Sequence, residues 1–276
     1  MQIDFFRPEN PGLQNYIEGY YILNHSENED RVKYLTFPSV NSFVSVVSHA
    51  ENSVLPEIIS VRPSQYKSLD TSLVCRFNKP ICFEYQGNIK EITIAFKPLG
   101  LNVFLKGELK DYSQGGFDTF IPFSDYEKEM KTILAIENQK VLAECLENYW
   151  KTKIKGFSHP FLHKAIALIE EKPNISTIAL ANQFNISQKT LIKHFKSHIC
   201  KTPSEYKRIF RFRKALETMR TGKKEVTNLT DLSYLSDFFD QSHMITNFKS
   251  LTGLPPKTFF KNLTTVKDSK IHWLFH

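Results

Sequence analysis

Residues 186–206, ISQKTLIKHFKSHICKTPSEY, decide how this chain is read, because a shortened version of them returns near the C-terminus. Shifted by 53 positions, Phe195, Lys196, Ser197, Cys200, Pro203 and Tyr206 meet Phe248, Lys249, Ser250, Gly253, Pro256 and Phe259. The run F-K-S and the proline are identities. Upstream of the turn the shift is 52, which sets Ala181, Asn185 and Ile186 on Ser233, Asp237 and Phe238. An internal repeat of about fifty residues implies two copies of one supersecondary unit. The unit reads as helix, tight turn, helix.

In the first copy Ile178, Ala181 and Phe184 give one apolar face of a short helix, and Asn185 is a turn residue that tolerates a left-handed backbone. Ser187 is the expected N-cap of a second helix whose inner face is Leu191, Phe195 and Ile199. Its opposite face carries Lys189, Ile192, Lys193 and Lys196. A helix held from behind, with three cations on its free face, suits the DNA major groove. One such hairpin alone reads better as a solvated basic face; two copies joined by a basic helix reverse that preference.

These residues, ISQKTLIKHFKSHICKTPSEYKRIFRFRKAL followed by DQSHMITNFKSLTGLPPKTFFKN, resemble the tandem helix-turn-helix domain of AraC-type bacterial transcription regulators. The resemblance covers roughly residues 158–263. It implies DNA contacts from Ser187, Gln188, Lys189, Thr190, Ile192, Lys193 and Lys196 in the first motif, and from Gln241, Ser242, Thr246 and Lys249 in the second. The chain departs from the family pattern at five positions. Cys200 and Asp237 stand where glycine is usual, Lys193 where arginine is usual, Met244 where an aromatic is usual, and Thr246 where a basic residue is common. Gln241 can still read adenine by a bidentate pair, whereas Ser242 and Thr246 discriminate less.

The charge is divided in the same way as the motifs. Residues 157–276 hold 19 Lys and Arg against 9 Asp and Glu, and residues 1–156 hold 17 against 20. A basic second half on a mildly acidic first half points to a polyanion, double-stranded DNA, as partner of the second half only. At 276 residues and 41% hydrophobic content the chain can bury two cores. Cys75, Cys82, Cys145 and Cys200 form no C-x-x-C pair and have no companion histidines at zinc spacing, so reduced, buried thiols are expected, with no metal and no cofactor. No cationic leader opens the chain and no apolar run spans a bilayer, so the expectation is a cytoplasmic protein with no membrane partner.

The first half favours strands at 32–37, 42–47, 73–77, 81–85 and 92–96, short β-branched or aromatic runs between Asn, Pro, Gly and Lys. A small barrel or sandwich follows from that spacing. Residues 12–23 are the expected exception, a helix through Leu13, Tyr16, Ile17 and Tyr20; KPLGLNVFLKG also reads as a helix, with Leu101, Phe104 and Leu105 inward. EITIAFKPLGLNVFL is similar to the cupin-like sensor halves of some AraC-type regulators. A metal-dependent cupin enzyme needs clustered histidines, and only His25 and His49 precede His159. Phe5, Phe6, Tyr16, Tyr20, Tyr21, Phe37, Phe43, Phe77, Phe83, Tyr85 and Phe96 either line a pocket for an apolar ligand or fill the core.

Helices are expected at 126–136 and 139–154, the second with Val141, Leu142, Cys145, Leu146, Tyr149 and Trp150 on one stripe that packs on the barrel or on the same helices of a second subunit, packing within the chain being the default. KTKIKGFSHP marks the boundary between a β-rich domain, 1–156, and an all-α domain, 157–276, an α+β architecture overall. A helix at 161–171 ends at Pro173. Thr202, Pro203 and Glu205 form a capping box that opens a helix to about Arg220, with Gly222 as its stop. Some seventeen residues at 1.5 Å give about 25 Å, enough to help set two recognition helices one DNA turn apart. Lys207, Arg208, Arg211, Arg213 and Lys214 on that helix are expected in ion pairs or on phosphate, Arg211 with a structural role at least as strong as a DNA contact. The tail from Thr264 is expected to be disordered or to dock through Ile271, Trp273 and Phe275.

The function expected is a sequence-specific transcription regulator whose first half senses a small molecule or forms a homodimer, with RNA polymerase a partner if it activates. The rivals are an interaction protein with weakened DNA binding and a DNA-modifying enzyme with this tail. The enzyme reading lacks a nucleophilic cysteine in a recognisable setting, so no catalytic residue is expected.

Overall fold

A computed structural model describes residues 1–55, 58–221, 228–265 and 272–275. The first half is built on two six-stranded sheets. Its strands are β1 (Gln2–Phe6), β2 (Ile17–His25), β3 (Val32–Thr36), β4 (Ser42–Ser48), β5 (Ala50–Val54) and β6 (Ile58–Pro63). They continue with β7 (Leu69–Val74), β8 (Ile81–Tyr85), β9 (Ile89–Phe96) and β10 (Asp118–Thr119), and the chain ends in β11 (Thr264–Thr265) and β12 (His272–Phe275). The first sheet runs β1-β2-β9-β4-β7-β10, the second β11-β12-β3-β8-β6-β5. Among the described residues, all pairings are antiparallel except β6 with β8.

The period of two divides each central strand between two environments. On β9, Ile92, Ile94 and Phe96 pack under helices α2 (Tyr126–Leu134) and α3 (Gln139–Thr152), while Glu91, Thr93 and Ala95 face a cavity toward the second sheet. Trp150 of α3 meets Phe96 and Phe104 edge-on at centroid distances of 5.0 and 5.1 Å. The stripe of α3 therefore packs within the chain as expected, apart from Val141, which is exposed.

Several local expectations yield to the sheet. The helix expected at 12–23 is only α1 (Pro11–Gln14), N-capped by Asn10, and Ile17 already opens β2. The helical spacing of Leu13, Tyr16, Ile17 and Tyr20 is overridden because the run Y-Y-I-L pairs on both sides, with β1 and β9. KPLGLNVFLKG holds only a 3-10 turn, Leu101–Val103, although Leu101, Phe104 and Leu105 are buried as expected. The strand expected at 73–77 lies earlier, as β7, and stops before Cys75.

The helical half contains α4 (Leu162–Glu171), α5 (Thr177–Asn182), α6 (Gln188–Ile199), α7 (Pro203–Arg220), α8 (Leu229–Leu235), α9 (Gln241–Thr252) and α10 (Pro256–Asn262). α7 serves two cores. Its Tyr206 joins Leu162, Leu180, Leu191 and Phe195, whereas Phe212 and Leu216 join Leu232, Met244, Phe248 and Phe259. Within α5, Leu180 rather than Ile178 takes the inner face; Ile178 is exposed. Thr202 and Glu205 cap the start of α7 reciprocally, and the expected stop, Gly222, lies outside the described residues.

The chain then returns to the first half. β12 pairs with β3, Trp273 opposite Thr36 and Phe275 opposite Tyr34, so the tail docks and closes the second sheet. Trp273 is buried and stacks on Tyr34 at 4.2 Å. Ile271 lies outside the described residues.

Candidate nucleic-acid interface, ligand cavity and histidine cluster

The repeat seen in the sequence is a repeat of backbone geometry. Asn185 and Asp237, the paired turn residues, are both left-handed, with φ of 52° and 58°. Directly after each, the amide of Ile186 or Phe238 donates to the carbonyl of Ala181 or Ser233, at 3.2 and 2.9 Å. The recognition helices are capped alike: Ser187 accepts from the amide of Thr190, and Asp240 from that of His243. Both end on a left-handed residue, Cys200 with φ 58° and Gly253 with φ 76°. The next helices differ in the way the sequence implies, α7 opening on the Thr202 cap and α10 on Pro255, which offers no side-chain cap.

Of the residues expected to touch DNA, Gln188, Lys189, Lys193 and Lys196 are exposed on α6, and Ser242, Thr246 and Lys249 on α9. Ile192 and Thr190 are half-buried. Ser187 is exposed but its hydroxyl is 2.8 Å from that of Thr190, and Gln241 accepts from the Thr230 hydroxyl at 2.9 Å. The three lysines of α6 thus form its free cationic face, while α9 offers one lysine.

The cations of α7 are engaged inside the protein. Lys207 donates to the Ile175 carbonyl at 2.6 Å, and Arg211 to the Pro173 carbonyl at 3.0 Å and the Asn174 side chain at 3.3 Å. Arg208 reaches Ser250 at 3.2 Å, and Lys214 is ion-paired with Asp237. Arg213 is spent on the first half, donating to the carbonyls of Phe37 and Pro38. Burial lowers its pKa to about 10, which leaves it charged at neutral pH.

Between the two sheets and α7 lies a cavity of about 770 Å³. Of the aromatics singled out in the sequence, Phe5, Tyr21, Phe43, Phe77 and Phe83 line it. Tyr16, Tyr20 and Phe96 instead belong to the core under α2 and α3, and Phe37 to the second motif's core. The polar floor is Glu91, which accepts from Thr93 and Tyr85 at 2.6 Å each and from Ser45 at 2.8 Å. Burial raises its pKa despite those bonds. Phe210, Arg213, Lys214 and Thr218 of α7 form part of the wall, so the cavity adjoins the helix that carries both motifs.

A third feature went unread in the sequence. His159, His194 and His198 converge, with one ring nitrogen from each lying within 4.8 Å of the others. The H-x-x-x-H spacing of His194 and His198, two imidazoles on one helix face, was the available signal. His159 comes from before α4 and joins them only through the fold.

Residues 180–262 match the family model described as a helix-turn-helix domain. The chain is also similar to solved structures of ToxT from Vibrio cholerae. One, wild-type ToxT from strain SCE256 bound to an unsaturated fatty acid, is 14% identical, with 91% of this chain and 98% of that chain covered and a TM-score of 0.49. Another, ToxT from strain O395, is 16% identical, covering 96% of this chain and 98% of that one, with a TM-score of 0.42. No curated protein matches the chain in sequence. Residues 180–262 are thus a helix-turn-helix domain.

Proposed function

We propose that the protein is a sequence-specific transcription regulator in which α6 enters the major groove through Gln188, Lys189, Ile192, Lys193 and Lys196. α9 follows with Gln241, Ser242, Thr246 and Lys249. The observation that carries this reading is the geometric repeat: two helices with matching caps, left-handed turns and left-handed ends, mounted on opposite ends of α7. Because α6 presents three exposed lysines and α9 one, the first motif supplies most of the phosphate attraction. Ser187 and Thr190 position α6 by capping rather than by reading bases.

The cavity in the first half takes an apolar small molecule with one polar group for the Glu91, Ser45 and Thr93 floor. Such a ligand touches α7 directly and so bears on the spacing of the two recognition helices. A second copy of the chain, and RNA polymerase where the protein activates, are the partners this reading implies. Selection of bound sequences from random duplex DNA by the full chain tests the proposal. An enriched motif, lost in a Lys189→Ala, Lys193→Ala double variant, is expected; folded protein that enriches nothing overturns it.

A further inference from the structure

We propose that His159, His194 and His198 form a binding site for a divalent transition metal ion of the zinc class, with Glu108 as an additional ligand from the N-terminal half. His159 Nε2 and His194 Nδ1 face each other at 3.1 Å, sharing one proton. That separation is near the ~3.3 Å edge expected between nitrogens of a tetrahedral site with metal to nitrogen bonds of about 2.0–2.1 Å. For a metal ion to take the place of the shared proton, that proton moves to His159 Nδ1, and the ring turns away from the Phe161 and Leu162 amides that Nδ1 faces at 3.4 and 3.3 Å.

His198 is oriented for ligation from its far side. Its Nδ1 is 3.2 Å from Asn102 Oδ1, and the Asn102 amide nitrogen donates to the His198 carbonyl at 2.8 Å, which fixes the amide's orientation. With Nδ1 as the donor, Nε2 keeps its lone pair. A histidine held by its second nitrogen in this way is the usual arrangement of a metal ligand. That Nε2 lies 3.7 Å from Oε1 of Glu108, the proposed fourth ligand, whose other carboxylate oxygen is ion-paired with Lys110.

Phe157 packs over the group, 5.2 Å from the His198 ring and 6.3 Å from the His159 ring, and reduces its contact with water.

The location gives the site a consequence. At 100° per residue, His194 and His198 lie on the side of α6 opposite Lys189, Lys193 and Lys196, so a bound ion leaves the cationic face free. It ties α6 at once to the segment before α4 and to the first half through Glu108 and Asn102. Three imidazoles with a carboxylate suit zinc, cobalt or nickel over magnesium or calcium.

The test uses untagged full-length protein, stripped with a chelator, dialysed, and titrated with Co²⁺ and then Zn²⁺. Expected are one Co²⁺ per chain with the strong visible absorption of a four-coordinate ion, its displacement by one Zn²⁺, and a higher melting temperature in the loaded protein. His198→Gln and His159→Ala should each weaken Zn²⁺ binding at least tenfold, while His49→Asn, at an exposed histidine elsewhere, leaves it unchanged. Glu108→Gln should alter the Co²⁺ spectrum. Absence of stoichiometric binding by the unmodified chain overturns the proposal whatever the variants do. So does binding that the His159 and His198 substitutions leave at full strength.

Discussion

Lowering the pH from 7 to 5 should weaken the docking of the C-terminal strand on the first half. His272 opens β12, is 3% exposed, and pairs through the backbone with Thr265 beside the docked Trp273. Burial, then the charge of Arg213, lowers its pKa to about 3; Glu217 opposes this weakly and Arg220 adds to it. An undocked histidine titrates near 6.5. Between these values the undocked strand binds more protons than the docked one, so docking is complete above pH 6.5 and weakens as pH falls toward 3. The slope is about 1.4 kcal/mol per pH unit, or about 2 kcal/mol by pH 5. Hydrogen exchange reads this directly. After correction for intrinsic rates, the amides of β3 that pair with β12 should lose roughly thirtyfold protection between pH 7 and 5. His272→Gln should flatten the dependence. Equal loss of protection in that variant would refute the assignment to His272, and constant protection in the unmodified protein would refute the buried neutral histidine itself.

Other consequences can be measured separately. Lys193→Ala should lower the slope of log affinity against log salt by about 0.9 for one lost phosphate contact, or cost about 1–3 kcal/mol with relaxed specificity if it reads a base; Thr246→Ala should do less. Equal losses from the two would count against the dominance of the first motif. Arg213→Ala leaves the Phe37 and Pro38 carbonyls without their guanidinium and should cost about 2–4 kcal/mol in urea titrations; a cost below about 1 kcal/mol would mean the halves do not depend on this link. Asn185 is exposed and left-handed, so Asn185→Gly should be near neutral whereas Asn185→Val should destabilise by about 1–2 kcal/mol, a difference that disappears if the turn is not held at positive φ. Phe248→Ala, in the second motif's core, should cost about 3–5 kcal/mol, and a much smaller value would mean that this motif is loosely packed.

The motifs were legible because everything that defines them is local. A cap needs one side chain a few residues from its amide, a left-handed turn needs a residue that tolerates it, and an inner face needs apolar residues three and four apart. Ser187, Asn185 and the face Leu191, Phe195 and Ile199 could therefore be assigned before any contact was known. The capping box of Thr202 and Glu205 was legible for the same reason. Where a local pattern competed with pairing across the sheet, as in residues 12–23, the sheet won, because β2 gains hydrogen bonds along both edges.

The sequence by itself thus determined the two motifs, the helix that joins them, the charge division and the β-rich character of the first half, since each depends on spacing along the chain. Only the tertiary structure decided which aromatics line the cavity and which fill the core. It also decided that Arg213 serves the Phe37 and Pro38 carbonyls, and that β12 returns to a sheet begun more than two hundred residues earlier. The histidine cluster belongs to the same class: His194 and His198 share a helix face, but His159 and Glu108 reach them from 35 and 90 positions away. No periodicity encodes such meetings, because they are set by how the packed elements cross.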